Sequence, residues 1–172
     1  GGRSALEELG KQTAAIMVRY EQLLLKARSE LCLVVGDVTS TMACAIAAQK
    51  LRVPVAHVEG GIRSGDWGMP EESKRLIAVA LTNWFFTTSE VANANLRKAG
   101  VADERIFFVG NTMIDTLLAS QAQFRAPAFW ADGGLQQGQY FVMTLHRPAN
   151  VDDSDGFAKL LRAVGEAVRD LP

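Results

Sequence analysis

A chain of 172 residues, 48% hydrophobic and with a formal net charge of −1, can bury a core and fits one domain, or one domain and part of another. Acids and bases are interspersed, so no field of one sign steers it to nucleic acid or an anionic membrane, and neither partner is expected. Cys32 and Cys44 lack the spacing of a zinc or redox site, and no apolar run reaches the roughly 18 residues of a membrane span or forms a signal peptide, so a cytoplasmic setting is expected.

In chain order, Ser4 and Glu7 fit a capping box. Leu6, Leu9, Thr13, Ile16, Met17, Tyr20, Leu23 and Leu24 then recur at helical spacing, which predicts a helix over 5–28. Its apolar stripe serves packing on a sheet and a homodimer interface equally well. Leu31–Val35 is a short apolar run ending at Gly36-Asp37, the pattern of a strand buried on both faces of a parallel sheet. Helix 41–50, strand 53–58, helix 70–82, strand 84–87, helix 90–99 closed by Gly100, and strand 106–109 follow. That order predicts an α/β fold with a doubly wound parallel sheet and right-handed crossovers. Residues 121–138 break the rhythm. A new apolar run, Tyr140–Leu145, reads as a strand ending at His146-Arg147-Pro148, and Asp152 or Asp153 can cap a last helix bearing Phe157, Leu160, Leu161, Val164 and Val168. The expected organisation is therefore one domain over 1–120, a connection over 121–138, and the first strand and helix of an incomplete second domain over 139–172. The chain reads as a segment of a larger two-domain protein.

Ligands of open parallel sheets bind beyond the carboxyl ends of the strands, where Asp37, Glu59, Ser89 and His146 fall. Asp37, Glu59 and His146 are expected to converge only across an interdomain cleft, a common place for small molecules. Each has a plainer reading. Asp37 could cap the helix behind it, and capping and catalysis weigh equally. Glu59 paired with Arg63 is an ordinary structural arrangement. Glu71 and Glu72 behind Pro70 suit a helix N-terminus whatever the function. His57, inside a strand, reads as a hydrogen-bonded core histidine. His146-Arg147 after a strand points instead to anion binding or proton transfer. Gly-Asp-Val-Thr-Ser-Thr at 36–41 is neither a P-loop nor a dinucleotide fingerprint, and two histidines without paired Asp or Cys spacing give no metal cage. No cofactor is expected.

Five motifs in order carry a resemblance: Val-Gly-Asp-Val-Thr-Ser-Thr, Val-Ala-His-Val-Glu-Gly-Gly-Ile-Arg-Ser-Gly-Asp, Met-Pro-Glu-Glu-Ser-Lys-Arg, Val-Gly-Asn-Thr-Met-Ile-Asp and Thr-Leu-His-Arg-Pro-Ala-Asn-Val-Asp-Asp. Together they resemble the UDP-N-acetylglucosamine 2-epimerase family, of the bacterial non-hydrolysing type. The resemblance implies a glycosyltransferase-B architecture of two Rossmann-like domains, of which this chain holds most of the first and the start of the second. It also implies inversion of C2 of UDP-N-acetylglucosamine by elimination of UDP, a 2-acetamidoglucal intermediate and re-addition. The C2 proton is barely acidic, so departure of the diphosphate builds oxocarbenium-like charge for carboxylates to stabilise while one takes the proton and another acid delivers it on the other face. By motif, Asp37, Glu59, Glu71 and His146 match catalytic positions, and Arg75 and Arg147 match positions at ligand phosphates. Which acid is the base stays open. Gly60 stands where the family usually has Ala, and Lys74 where Asn is common. Two rivals remain: a hydrolysing epimerase releasing N-acetylmannosamine and UDP, and a non-catalytic nucleotide-sugar-binding domain. The segment alone is expected to be inactive.

Overall fold

The computed structural model describes residues 2–145 and 153–169, with side chains from residue 10 onward. The chain divides into two compact units, Gly1–Gln121 and Ala122–Pro172. The first runs α1 (Gly2–Ala27), β1 (Cys32–Val35), α2 (Thr39–Lys50), β2 (Val55–Val58), α3 (Pro70–Leu81), β3 (Trp84–Thr87), α4 (Glu90–Lys98), β4 (Ile106–Phe108) and α5 (Thr112–Ser120), with a 3-10 turn at Asp103–Arg105. The side chains of the Ser4–Glu7 capping box lie outside the described residues.

The four strands form one parallel sheet in the order β1-β2-β3-β4, with Val34 opposite His57 and His57 opposite Phe85. This is the parallel α/β fold that the strand-helix alternation requires. Each connection passes through a helix and steps to the neighbouring position in the same direction, so right-handed crossovers put α2, α3 and α4 on one face. The covered face carries Cys32, Val34, Val55, His57 and Phe85, each at most 6% exposed. On the opposite face Leu33 is 58%, Val35 51% and Trp84 40% exposed. The expectation that Leu31–Val35 is buried on both faces therefore fails for β1. Among the described residues, helices cover one face of the sheet, and burial alternates along β1.

Two clusters make the core. Leu24 of α1 packs with Cys32, Val34, Ala45, Ala48 and Val55, and four alanines of α2 at most 4% exposed let that helix approach β1 closely. Tyr20 donates to Cys32 Sγ at 3.1 Å. Burial and this contact push the tyrosine pKa up, and burial raises both thiols. The second cluster joins Phe85, Leu96 and Val101 beneath Val79 and Ile106. Val18, Leu23 and Leu25 of α1 remain more than half exposed. No described helix is long and apolar enough to cross a membrane.

The second unit holds α6 (Ala128–Asp132) and α7 (Ser154–Ala167). Asp153 caps α7 by accepting from the Asp155 N–H at 3.2 Å. Phe157, Leu160, Val164 and Val168 form its more covered face, whereas Leu161 is 42% exposed. Tyr140–Leu145 is not a strand. A strand exists through hydrogen bonds to a neighbour, and no described segment of this unit offers one. His146, Arg147 and Asp152 lie outside the described residues.

Candidate active site

At the carboxyl end of β1 the chain turns through Gly36, whose φ of +66° suits glycine, and presents Asp37. Asp37 does not cap α2: the residue before that helix is Val38, and no side chain caps it. Thr41, from the hydroxyl-rich run, instead donates to the Val35 carbonyl at 2.8 Å and ties the helix to the strand it follows. Asp37 Oδ2 accepts from Arg75 Nε at 2.8 Å and from Nη2 at 2.5 Å. The pair is only partly covered, the acid 35% and the arginine 15% exposed.

Glu59 follows β2 with φ of +63°. The other non-glycine residues with positive φ, Arg28 and Arg52, sit just past helix ends, where that conformation is common. Glu59 is at a strand end, where it costs about 1–3 kcal/mol and persists only under surrounding constraint. Its N–H is held by the Phe86 carbonyl at 2.9 Å. A Cβ built on Gly36 would lie 3.8 Å from Glu59 Oε2, so this carboxylate faces the turn that carries Asp37. Arg63 does not pair with it. The expected Glu59–Arg63 bridge is replaced by Arg63 Nε on Glu72 Oε1 at 2.5 Å, because the Gly60-Gly61 turn carries Arg63 to the first turn of α3.

His57 is a buried core histidine, as its place in the strand implies, and it is also part of the site. Its Nε2 lies 2.7 Å from the Gly36 carbonyl. A carbonyl can only accept, so Nε2 carries the proton. Nδ1 is then the bare acceptor, buried and without a partner among the described residues. Burial lowers the histidine pKa, outweighing the Gly36 carbonyl, Asp37 and Glu59, which favour the cation. The ring is therefore neutral at physiological pH. Gly36, Asp37, His57, Glu59, Gly61 and Arg75 surround a cavity of about 60 Å³. Small-molecule pockets run to roughly 300–1,000 Å³; this one admits a functional group, not a sugar.

Of the two tandem acids on α3, Glu71 pairs with Lys74 at 3.1 Å and is 37% exposed, and it does not line the cavity. Its own backbone N–H, free at the helix start, and Lys74 hold its pKa below the ordinary carboxylate value. Glu72 is the buried one, wholly inaccessible. The sequence marks Glu72 only as an acid suited to the helix start; its i,i+3 spacing to Arg75 is the signal for its place at the site. Ser89 is an N-cap, accepting from Ala92 N at 3.2 Å. The structure thus brings Asp37, Glu59 and Arg75 together and adds His57, while Glu71, on the same helix as Arg75, is turned to Lys74 and stays outside the cavity lining. Among the described residues no cluster of ligands could hold a metal ion.

Residues 3–172 match the family model of UDP-N-acetylglucosamine 2-epimerase. The chain belongs to that family. UDP-N-acetylglucosamine 2-epimerase of Methanocaldococcus jannaschii is 34% identical over 163 residues, 92% of this chain and 44% of that protein. The crystal structure of the M. jannaschii epimerase in complex with UDP-GlcNAc and UDP superposes with a TM-score of 0.80 at 33% identity, over 94% of this chain and 45% of that one. UDP-2,3-diacetamido-2,3-dideoxy-D-glucuronate 2-epimerase of Pseudomonas aeruginosa is 34% identical over 159 residues, 91% of this chain and 44% of that protein. The chain spans less than half the length of these relatives, and its parallel α/β sheet is the fold of the glycosyltransferase-B-type epimerases.

Proposed function

We propose that the whole protein carrying this chain inverts C2 of a UDP-2-acetamido sugar, with UDP-N-acetylglucosamine as substrate, by eliminating UDP to a 2-acetamidoglucal and adding it back after protonation from the opposite face. The observation that carries this reading is the meeting of Asp37, Glu59 and the Asp37-bound Arg75 at the carboxyl ends of adjacent parallel strands. Elimination ahead of proton loss builds positive charge on the sugar, and carboxylates beside it stabilise that charge. Arg75 holds Asp37 in place through two hydrogen bonds and can share its remaining N–H groups with the departing diphosphate. Glu59, held in a strained backbone conformation and in none of the ion pairs among the described residues, is placed to exchange a proton with C2. Glu71 adds a third carboxylate from α3. His146 and Arg147 are carried as further contributors, at the proton transfers and the phosphates respectively.

The small cavity supports a division of labour in which this sheet supplies acids and other parts of the whole protein supply the nucleotide pocket, so the isolated segment is inactive. Two unpaired cysteines suit a reducing cytoplasm, the setting this reading assigns. The P. aeruginosa relative favours one variation, a UDP sugar with other substituents at C3 and C6 and the same chemistry at C2.

Product analysis tests the reading. Incubating the whole protein with UDP-N-acetylglucosamine should give UDP-N-acetylmannosamine with the diphosphate linkage intact by phosphorus NMR. Free N-acetylmannosamine with UDP would replace it with the hydrolysing reaction, and absence of both would leave a binding domain.

A further inference from the structure

Glu72 does not line the cavity, yet its carboxylate is buried and accepts four hydrogen bonds beside it. Its carboxylate is 0% exposed. Oε1 accepts from Arg63 Nε at 2.5 Å, and Oε2 accepts from the Ser64 N–H at 3.0 Å, the Ser64 hydroxyl at 2.9 Å and Arg75 Nη1 at 3.3 Å. Four donors meet the roughly four lone-pair sites of an ionised carboxylate. Arg63 and Ser64 end the turn whose Gly61 and Ile62 line the cavity, while Arg75 is the cavity's α3 wall. One carboxylate therefore joins two walls. The guanidinium of Arg75 is fixed in turn from two sides, by Nη1 on Glu72 and by Nε and Nη2 on Asp37. Two guanidiniums and two acids balance, so loss of the Glu72 charge leaves Arg63 uncompensated and Arg75 anchored only through Asp37.

We propose that Glu72 is a positioning residue, holding Arg75 in register with Asp37 and the Arg63–Ser64 segment against α3 so that both walls of the site form together. This rests on the epimerase reading only for its kinetic consequence; the placement of Arg75 is separately measurable. The test uses the whole protein with nitrogen-15-labelled arginines. The Arg75 Nε–H resonance is assigned by its loss in Arg75→Lys. In Glu72→Gln, solvent exchange of that N–H should quicken at least tenfold, and kcat/KM for UDP-N-acetylglucosamine should fall at least tenfold. Leu24→Val, in the α1 core, lowers Tm without reaching the site and should leave both within about twofold.

An unchanged Arg75 signal in folded Glu72→Gln overturns the proposal, as does equal quickening in Leu24→Val, which would make the effect general loosening. Should Glu72→Gln fail to fold, Glu72→Asp is read instead. It keeps the charge but draws it back from Arg75, and Arg75 exchange and kcat/KM matching the parent would equally overturn the proposal. If the parent shows no epimerisation, the functional reading fails while the Arg75 signal still decides the positioning.

Discussion

Two adjacent glutamates on α3 divide their work by helical phase. Glu71 meets Lys74 near solvent, and Glu72 turns inward to Arg63, Ser64 and Arg75. The tandem acids were legible in the sequence as a helix start. Which of them is buried was not, because a helix's phase is set by what its other residues pack against. The same limit hid the partner of Arg63: spacing along the chain favoured Glu59, and the turn at Gly60-Gly61 delivered it to α3. Ser64, through its backbone N–H first, and then Arg63 hold the Glu72 carboxyl well below the ordinary carboxylate 4.5, at about 2, against the opposing effect of burial. A group whose folded pKa is depressed stabilises the fold above its unfolded value, and that contribution is lost as pH falls through the folded value. The melting temperature followed by circular dichroism should therefore drop between pH 4.5 and 2, with a shallower drop in Glu72→Gln. Equal slopes would remove Glu72 from the acid response.

At the scale of elements, the strand-helix alternation was readable because buried parallel strands and amphipathic helices leave different periods in the sequence. Two expectations failed for one reason, that a strand's surroundings are not written in the strand. The Leu31–Val35 run has helices on one face only, and Tyr140–Leu145 has no neighbour among the described residues to pair with. The turn after β2 is held more tightly than its glycines suggest. Gly61 has φ of +89°, and a Cβ there would lie 2.8 Å from both the Ala92 carbonyl and Leu96 Cγ. Asn95 also donates to the Gly61 carbonyl at 3.0 Å. Gly61→Ala combines backbone strain with overpacking against α4 and should cost on the order of 2–4 kcal/mol in urea unfolding. A change below about 0.5 kcal/mol would show that the turn relaxes without loss.

Across the molecule, the ordered motifs carried more functional information than any charge pattern, since each acid had an ordinary structural reading alone. Asp37 lost its capping role only when the structure paired it with Arg75; His57 gained a place beside the cavity that its apolar strand had concealed. In the proposed reaction these acids exchange the C2 proton of a UDP sugar. The direct measurement is proton NMR of UDP-N-acetylglucosamine incubated with the whole protein in deuterated water. Deuterium should enter C2 while the UDP sugar is retained, and Asp37→Asn, with its fold intact, should slow that entry at least a hundredfold. No deuterium at C2 with the parent protein, or an undiminished rate in Asp37→Asn, would overturn the proposed proton exchange.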